Sequence, residues 1–253
     1  MTMRFFSEAM WVQKAGNPED EYEDAFWPDE NVSGESRDKV SFAVADGATE
    51  SSFSGIWAEQ LVRAYCRGRI DPVSTHASLG SRQRVWKRVV GRKPLPWYAE
   101  EKVRNGAFST ILGLTLRDTD KSGSSGSWDA FAVGDSCLVH VRSDVILNTF
   151  PLSNAADFNN SPFLLGSNPE SNKEIELHIQ TVNGRWERED KFYLMTDALA
   201  AWFFREVEDK RTPWHTLRDL DTEDLPFRAW IEDLRTTRQI RNDDVTLYRI
   251  EIE

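Results

Sequence analysis

Several short apolar runs in this chain end on an aspartate, and that arrangement restricts what the chain can fold into. Residues 40–45 (VSFAVA) run directly into Asp46-Gly47, and residues 131–133 meet Gly134-Asp135-Ser136. Residues 192–195 reach Asp197 after one threonine, Asp243-Asp244 opens the alternating run 245–252, and Asp24 precedes Ala25-Phe26. A carboxylate beside an apolar strand is costly unless something compensates it. A single aspartate there is a turn or a helix cap, and five of them either cap separately or converge. If they converge, they cannot all stay ionised and unpaired; they bind cations or shift strongly in pKa. Oxygen ligands with no Cys or His beside them favour hard ions, Mg²⁺ or Mn²⁺, over zinc.

Composition narrows the class. In 253 residues, 40% are hydrophobic and 11% aromatic, enough to bury one substantial core and to exclude global disorder. Lys+Arg 31 against Asp+Glu 42 gives a net charge of −11, which argues against a nucleic-acid or anionic-membrane binder. Cys66 and Cys137 cannot make a disulfide framework, and both lie in apolar runs. The first residues carry no apolar core of a signal peptide. The longest apolar stretch, 192–204, contains Asp197 and is too short to span a bilayer. The expected setting is reducing and cytoplasmic.

The pattern predicts one α+β domain over residues 1–253. Strands are expected at 40–45, 108–116, 128–133, 137–141, 175–182, 191–195 and 244–252, with 108–141 forming an antiparallel meander. A helix follows Ser51, Ser52 and Ser54 to about Arg67, on the spacing of Trp57, Leu61, Ala64 and Tyr65. Further helices are expected at 82–90, 198–207 and 225–234, with Gly80, Gly91, Pro94 and Pro96 interrupting the 70–105 region. Residues 118–127 read as a flexible turn and 151–172 as a long loop.

Six short pieces occur in order across nearly the whole chain: Glu23-Asp24-Ala25, Val44-Ala45-Asp46-Gly47, Phe108-Ser109-Thr110, Val133-Gly134-Asp135-Ser136, Leu194-Met195-Thr196-Asp197 and Asp243-Asp244-Val245-Thr246. Together they resemble the PP2C-type (PPM) metal-dependent serine/threonine phosphatases in their bacterial form. The resemblance implies two antiparallel β-sheets packed as a sandwich with helices on both outer faces, a four-layer αββα arrangement. It also implies hydrolysis of phosphoserine and phosphothreonine in proteins by a metal-activated water, with two metals and in-line attack. Carried over position by position, Asp46 would bridge the two metals and the Gly47 carbonyl would bind the second. Asp197 and Asp243 would complete the first metal's ligands. Glu23 would lie nearest the second metal, Asp24 would orient its waters, and Asp135 with Asp197 would hold a third, weaker ion. The implied partners are a phosphorylated protein and its serine/threonine kinase, with no nucleic acid and no membrane.

The chain also departs from the family pattern. The segment after Asp46-Gly47 reads Ala48-Thr49-Glu50, with no Gly-rich stretch and no His after the glycine, and Ala198 stands where a glycine follows the aspartate. Asp243 and Asp244 occupy the Asp-Asn pair, and register with Val245-Thr246 favours Asp243. The phosphate-binding arginine expected shortly before Glu23 is absent; of the upstream basic residues Arg4 and Lys14, Lys14 is the better candidate. A lysine supplies a point charge without a bidentate fork. The basic stretch 63–93 reads as solvated helix faces, or else as a docking surface for an acidic partner. His76, His140, His178 and His215 receive no role, and Trp11, Trp27, Trp57, Trp128 and Trp202 read as core. Substrate choice is expected in 70–105 and in 151–172, where the family's variable flap lies. The altered motifs leave as one alternative a binding module that kept the fold; another is a metal-dependent phosphatase of small phosphorylated molecules.

Overall fold

The structure is a computed structural model that describes residues 2–48, 53–70, 72–73, 75–92, 103–119, 123–158, 161–220 and 226–253. The first sheet runs, in spatial order, β3 (Val32–Arg37), β1 (Met3–Val12), β13 (Val245–Ile252), β12 (Lys191–Met195), β8 (Cys137–Arg142) and β9 (Val145–Phe150). The second runs β11 (Gln180–Glu187), β7 (Ser125–Val133), β6 (Ile111–Arg117), β4 (Lys39–Ala45) and β2 (Ala25–Trp27). A two-stranded piece pairs β10 (Leu165–Gly166) with β5 (Phe108–Ser109). Neighbouring strands are antiparallel in both sheets.

Alternation assigns the faces. In β13, Tyr248, Ile250 and Ile252 point between the sheets, where they meet Phe5, Phe42, Leu114, Trp128, Phe192 and Leu194. Val245 and Leu247 point the other way, onto α3 (Asp197–Glu208), α4 (Pro213–Asp219) and α5 (Phe227–Thr236). The outer face of the second sheet, with Ala43, Ala45, Ile111 and Phe131, is covered by α1 (Ser54–Cys66) and α2 (Thr75–Val90) through Trp57, Leu61, Tyr65 and Trp86. Three apolar layers thus separate four layers of structure, the expected αββα sandwich. Each fully buried large side chain in them contributes roughly 2–3 kcal/mol by transfer from water.

The departures from the sequence reading are local. The antiparallel meander holds for β6 and β7, but Gly134-Asp135-Ser136 is not a hairpin: β8 belongs to the other sheet, so this tripeptide carries the chain across the edge of the sandwich. The run 108–116 is divided at Thr110 into β5 and β6. Helix α2 passes through Gly80 without a break. Residues 175–177 form a 3-10 turn, and the strand expected there lies at Gln180–Glu187. Ser125, Gly126 and Ser127 are strand rather than turn, because Trp186 of β11 lies over Gly126, where a Cβ would meet its indole at 2.5 Å and the Arg117 carbonyl at 2.0 Å. Expectations placed on Glu50, Ser51, Ser52, Lys93, Pro94, Pro96, Leu225 and residues 120–122 lie outside the described residues. No helix among the described residues is long and apolar enough to cross a membrane.

Candidate active site

The strand ends carrying the aspartates meet at one edge of the sandwich. Asp46 follows β4, and its backbone goes on pairing: Thr110 N donates to Asp46 O at 2.8 Å and Asp46 N donates to Thr110 Oγ1 at 2.9 Å. Ala48 N donates to Phe108 O at 3.0 Å, so the Phe108-Ser109-Thr110 motif fixes the exit of β4. Thr110 Oγ1 also bonds Ser136 Oγ at 2.8 Å, which ties the crossover bearing Asp135 to the same place. Gly47 has no room for a side chain: a Cβ would stand 2.4 Å from the Glu23 carbonyl and 3.0 Å from Ser54 Cβ. Its bare backbone lets the residue-23 segment and the start of α1 close on the end of β4. There the Ser54 hydroxyl donates to Glu23 Oε1.

A second group of bonds fastens the first sheet to this edge. Thr246 N donates to Thr196 Oγ1 at 3.0 Å, and Thr246 Oγ1 donates to Asp24 Oδ2 at 2.7 Å. Asp244 accepts the amides of Lys14 and Glu23, one on each carboxylate oxygen and both at 2.7 Å. Asp243, only partly buried, accepts the Asp244 amide at 3.1 Å on Oδ1. Asp244 is therefore a bracket for the chain around residues 14 and 23, and Asp243 is the member of the pair with an oxygen to offer. Asp197 opens α3 directly after Thr196.

One oxygen from each of Asp46, Asp135 and Asp197 lies within 4.8 Å of the other two. Of the expected metal residues, these three form the tight cluster. Asp24 and Asp243 stand close enough to raise the Asp46 carboxyl, while Glu23 is held to one side by Ser54. Burial, followed by the charges of Asp24, Asp197, Asp135 and Asp243, pushes Asp46 well up from the usual carboxylate range. Burial and Asp244 do the same to Asp24. Asp135 is pushed up to about 7 by burial and by Asp197. Burial also raises Asp197, against the opposing pull of Arg241. Positive charge at the cluster is outnumbered: among the described residues, Arg241 is the cation ion-paired to these aspartates, through Asp197.

An all-oxygen set of this kind fits hard divalent ions. A specific vacancy in hydrogen bonding agrees: Asp197 Oδ1 is buried and has no hydrogen-bond partner, a state that is expensive for a carboxylate oxygen unless a cation takes it. The basic side chain expected for substrate phosphate is less defined. Arg4 is engaged with Glu253 at 3.3 Å, and half-buried Lys14 lies near Asp244. Sequence reasoning gave no role to Thr110, Ser136, Thr196 and Thr246, although all four stand in the quoted motifs and Ser136 and Thr196 directly adjoin aspartates. It also missed Arg241, two residues before Asp243.

The family model for protein phosphatase 2C matches residues 20–241. The chain belongs to the protein phosphatase 2C family. Among solved structures, the serine/threonine phosphatase PstP/Ppp of Mycobacterium tuberculosis is similar at 13% identity and TM-score 0.60, covering 99% of both chains. The S. agalactiae serine/threonine phosphatase aligns at 14% identity and TM-score 0.54, over 98% of this chain and 100% of the other. RsbX, determined in complex with magnesium, aligns at 16% identity and TM-score 0.53, over 99% and 96%. At these identities the likeness is one of fold. A search of curated proteins found no match.

Trp57, Trp128 and Trp202 are core, whereas Trp11 and Trp27 are only partly covered, Trp11 against Tyr22 and Trp27 beneath Arg63. Arg63 from the basic stretch pairs with Glu59 at 2.8 Å and Asp29 at 3.6 Å. The described part of 151–172 folds into 3-10 turns at Ala155–Asp157 and Pro169–Asn172 around β10, which pairs with β5 beside Gly47.

Proposed function

We infer that this chain hydrolyses phosphoserine and phosphothreonine in proteins with Mg²⁺ or Mn²⁺ bound at the aspartate cluster. The observation that carries the reading is the convergence of Asp46, Asp135 and Asp197 from both sheets, with a buried Asp197 oxygen left without a partner. In this reading Asp46, Asp197 and Asp243 would hold a first ion, and Asp46, Glu23 and the Gly47 carbonyl a second. Asp135 and Asp197 are the residues for a third. Divalent ions there lower the pKa of water toward neutrality and offset charge on the phosphoryl oxygens.

The chain's own residues do the positioning. Thr246 holds Asp24 by its Oδ2, which fixes the carboxylate that this reading assigns to orienting water. Lys14 offers its charge to the substrate phosphate. No thiol takes part: burial raises both Cys66 and Cys137 far above neutrality, which keeps them protonated and poor nucleophiles. Attack by water in line with the leaving oxygen needs no covalent phosphoenzyme. PstP crystallised with two manganese ions, at 12% identity, supports the metal count, and family membership supports a phosphoprotein substrate paired with a serine/threonine kinase.

The test is hydrolysis of a phosphothreonine peptide by wild type and Asp46→Asn, with and without Mn²⁺. Release that needs Mn²⁺ and falls at least about 100-fold in the variant is expected. Folded wild type that binds Mn²⁺ yet releases no phosphate would point instead to a binding module. Release from small phosphate esters that the peptide fails to inhibit would point to a small-molecule phosphatase.

A further inference from the structure

Arg241 stands at the mouth of the carboxylate cluster. It leaves the loop that leads into β13, and its Nη2 donates to Asp197 Oδ2. The guanidinium side chain is 46% exposed while that of Asp197 is 14% exposed, so the pair spans the boundary between solvent and the buried aspartates. Asp243 and Asp135 add to the field around Arg241, and the three together hold it protonated against the cost of its partial burial. The loop is itself braced: Arg235 Nη2 donates to the Asp243 carbonyl at 2.6 Å, and Asn242 Oδ1 accepts the Ala15 amide at 2.8 Å.

We propose that Arg241 is a built-in counter-cation of the cluster, which competes with a divalent ion for Asp197 and so sets the affinity of the Asp135–Asp197 side of the centre. This rests on the metal-centre reading above. The physical argument is one of charge at short range. Two like charges a few ångströms apart repel by about 4 kcal/mol at an effective dielectric constant near 20, and the braced loop keeps the Arg241 backbone beside Asp197. Asp197 has two oxygens. The one held by Arg241 is withdrawn from the ion and the other, Oδ1, is the buried atom with no partner. The cluster is therefore divided, with one oxygen assigned to a cation the chain always carries and the rest left for ions it must capture. With no ion bound, the same guanidinium offsets part of the repulsion among the aspartates, so the fold tolerates the empty centre.

Mn²⁺ binding to the full-length chain, followed by calorimetry and by the electron-paramagnetic-resonance signal of free Mn²⁺, tests this in wild type, Arg241→Gln and Arg241→Lys. Thermal unfolding is measured without and with the ion. Arg241→Gln should bind its weakest Mn²⁺ about tenfold more tightly, while its midpoint falls in the presence of a chelator and recovers at saturating Mn²⁺. Arg241→Lys keeps the charge without the fork and should fall between the two. It also serves as the decisive comparison if Arg241→Gln does not fold. Unchanged affinity in the variants overturns the proposal, and weaker affinity replaces it with a role in orienting Asp197 for the ion. Failure of wild type and variants alike to bind Mn²⁺ removes the metal centre itself, and the competition with it.

Discussion

Asp135 shows how far the site's properties belong to single residues. It is 6% exposed at a crossover between sheets, and burial with Asp197 nearby lifts its carboxyl to about 7. The folded chain therefore holds that proton more tightly than the unfolded chain, whose aspartates titrate near about 4. Stability from this source is full below about pH 4 and is lost as pH rises through about 7. Asp24, Asp46 and Asp197 are raised as well and act in the same direction. The chelated protein should unfold at a lower temperature at pH 8 than at pH 5, and Asp135→Asn should flatten that slope. Mn²⁺ at pH 8 should restore the midpoint, and Mn²⁺ binding near pH 5, where Asp135 still carries its proton, should release protons. A chelated wild type that gains stability steadily from pH 5 to 8 would contradict this reading of the cluster.

At the scale of elements, a different aspartate stabilises rather than strains. Asp190, fully buried in the turn between β11 and β12, accepts from His140 Nε2 at 2.8 Å, Arg142 Nε at 2.6 Å and Nη2 at 2.8 Å, and the Glu187 amide at 2.9 Å. Burial pulls its carboxyl upward, but these donors outweigh it and hold it below the usual range. The network joins β8 to the β11–β12 turn, next to the stacked pair His140 and Phe192. Asp190→Ala would leave a buried imidazole and a partly buried guanidinium without their partner, at a cost of roughly 3–5 kcal/mol. The sign of its pH dependence is opposite to that of Asp135: the stabilisation is present above the unfolded aspartate pKa and is lost as pH falls through the depressed folded value. Urea unfolding should show the deficit of the variant at pH 7 and a smaller one near pH 3. Equal deficits at both would place the loss in packing rather than charge.

Elements also explain what the sequence made legible. Residues 40–45, 191–195 and 245–252 announce themselves because one face or both are apolar throughout. β1 does not, since its apolar parity reverses: Met3 and Phe5 face the inner layer, and Met10 and Val12 face the outer one under the helices. A period-2 signal cancels over such a strand. β11 is an edge strand with one side in solvent, and its one fully buried large residue, Trp186, packs on a glycine that reads as turn. For the site, aspartates at strand ends were visible one by one, but their convergence depends on which sheet each strand joins. That Asp244 is bound by two amides, leaving Asp243 the freer carboxylate, follows from contacts more than two hundred residues apart, and the placing of Arg241 beside Asp197 from one 44 residues apart.

At the scale of the whole molecule, the cluster is a place where the sandwich works against itself. Asp46 and Asp24 come from the second sheet, Asp197 and Asp243 from the first, and Asp135 from the strand crossing between them. Repulsion among them acts to open this edge, while the other end of β4, around Lys39 and its partner Arg117, carries no such load. A divalent ion with ligands from both sheets would clamp the loaded edge, adding about 4 kcal/mol at a thousand times its dissociation constant. Hydrogen exchange should locate that clamp. Mn²⁺ is expected to slow exchange at residues 44–48, 133–137, 195–198 and 243–246, and to leave 39–41 and 115–117 nearly unchanged. Where opening is local, the protected amides identify the edge that the ion closes. Uniform protection of both ends would mean instead that the ion acts only through global stability, and that the two sheets part as one unit rather than from the aspartate edge.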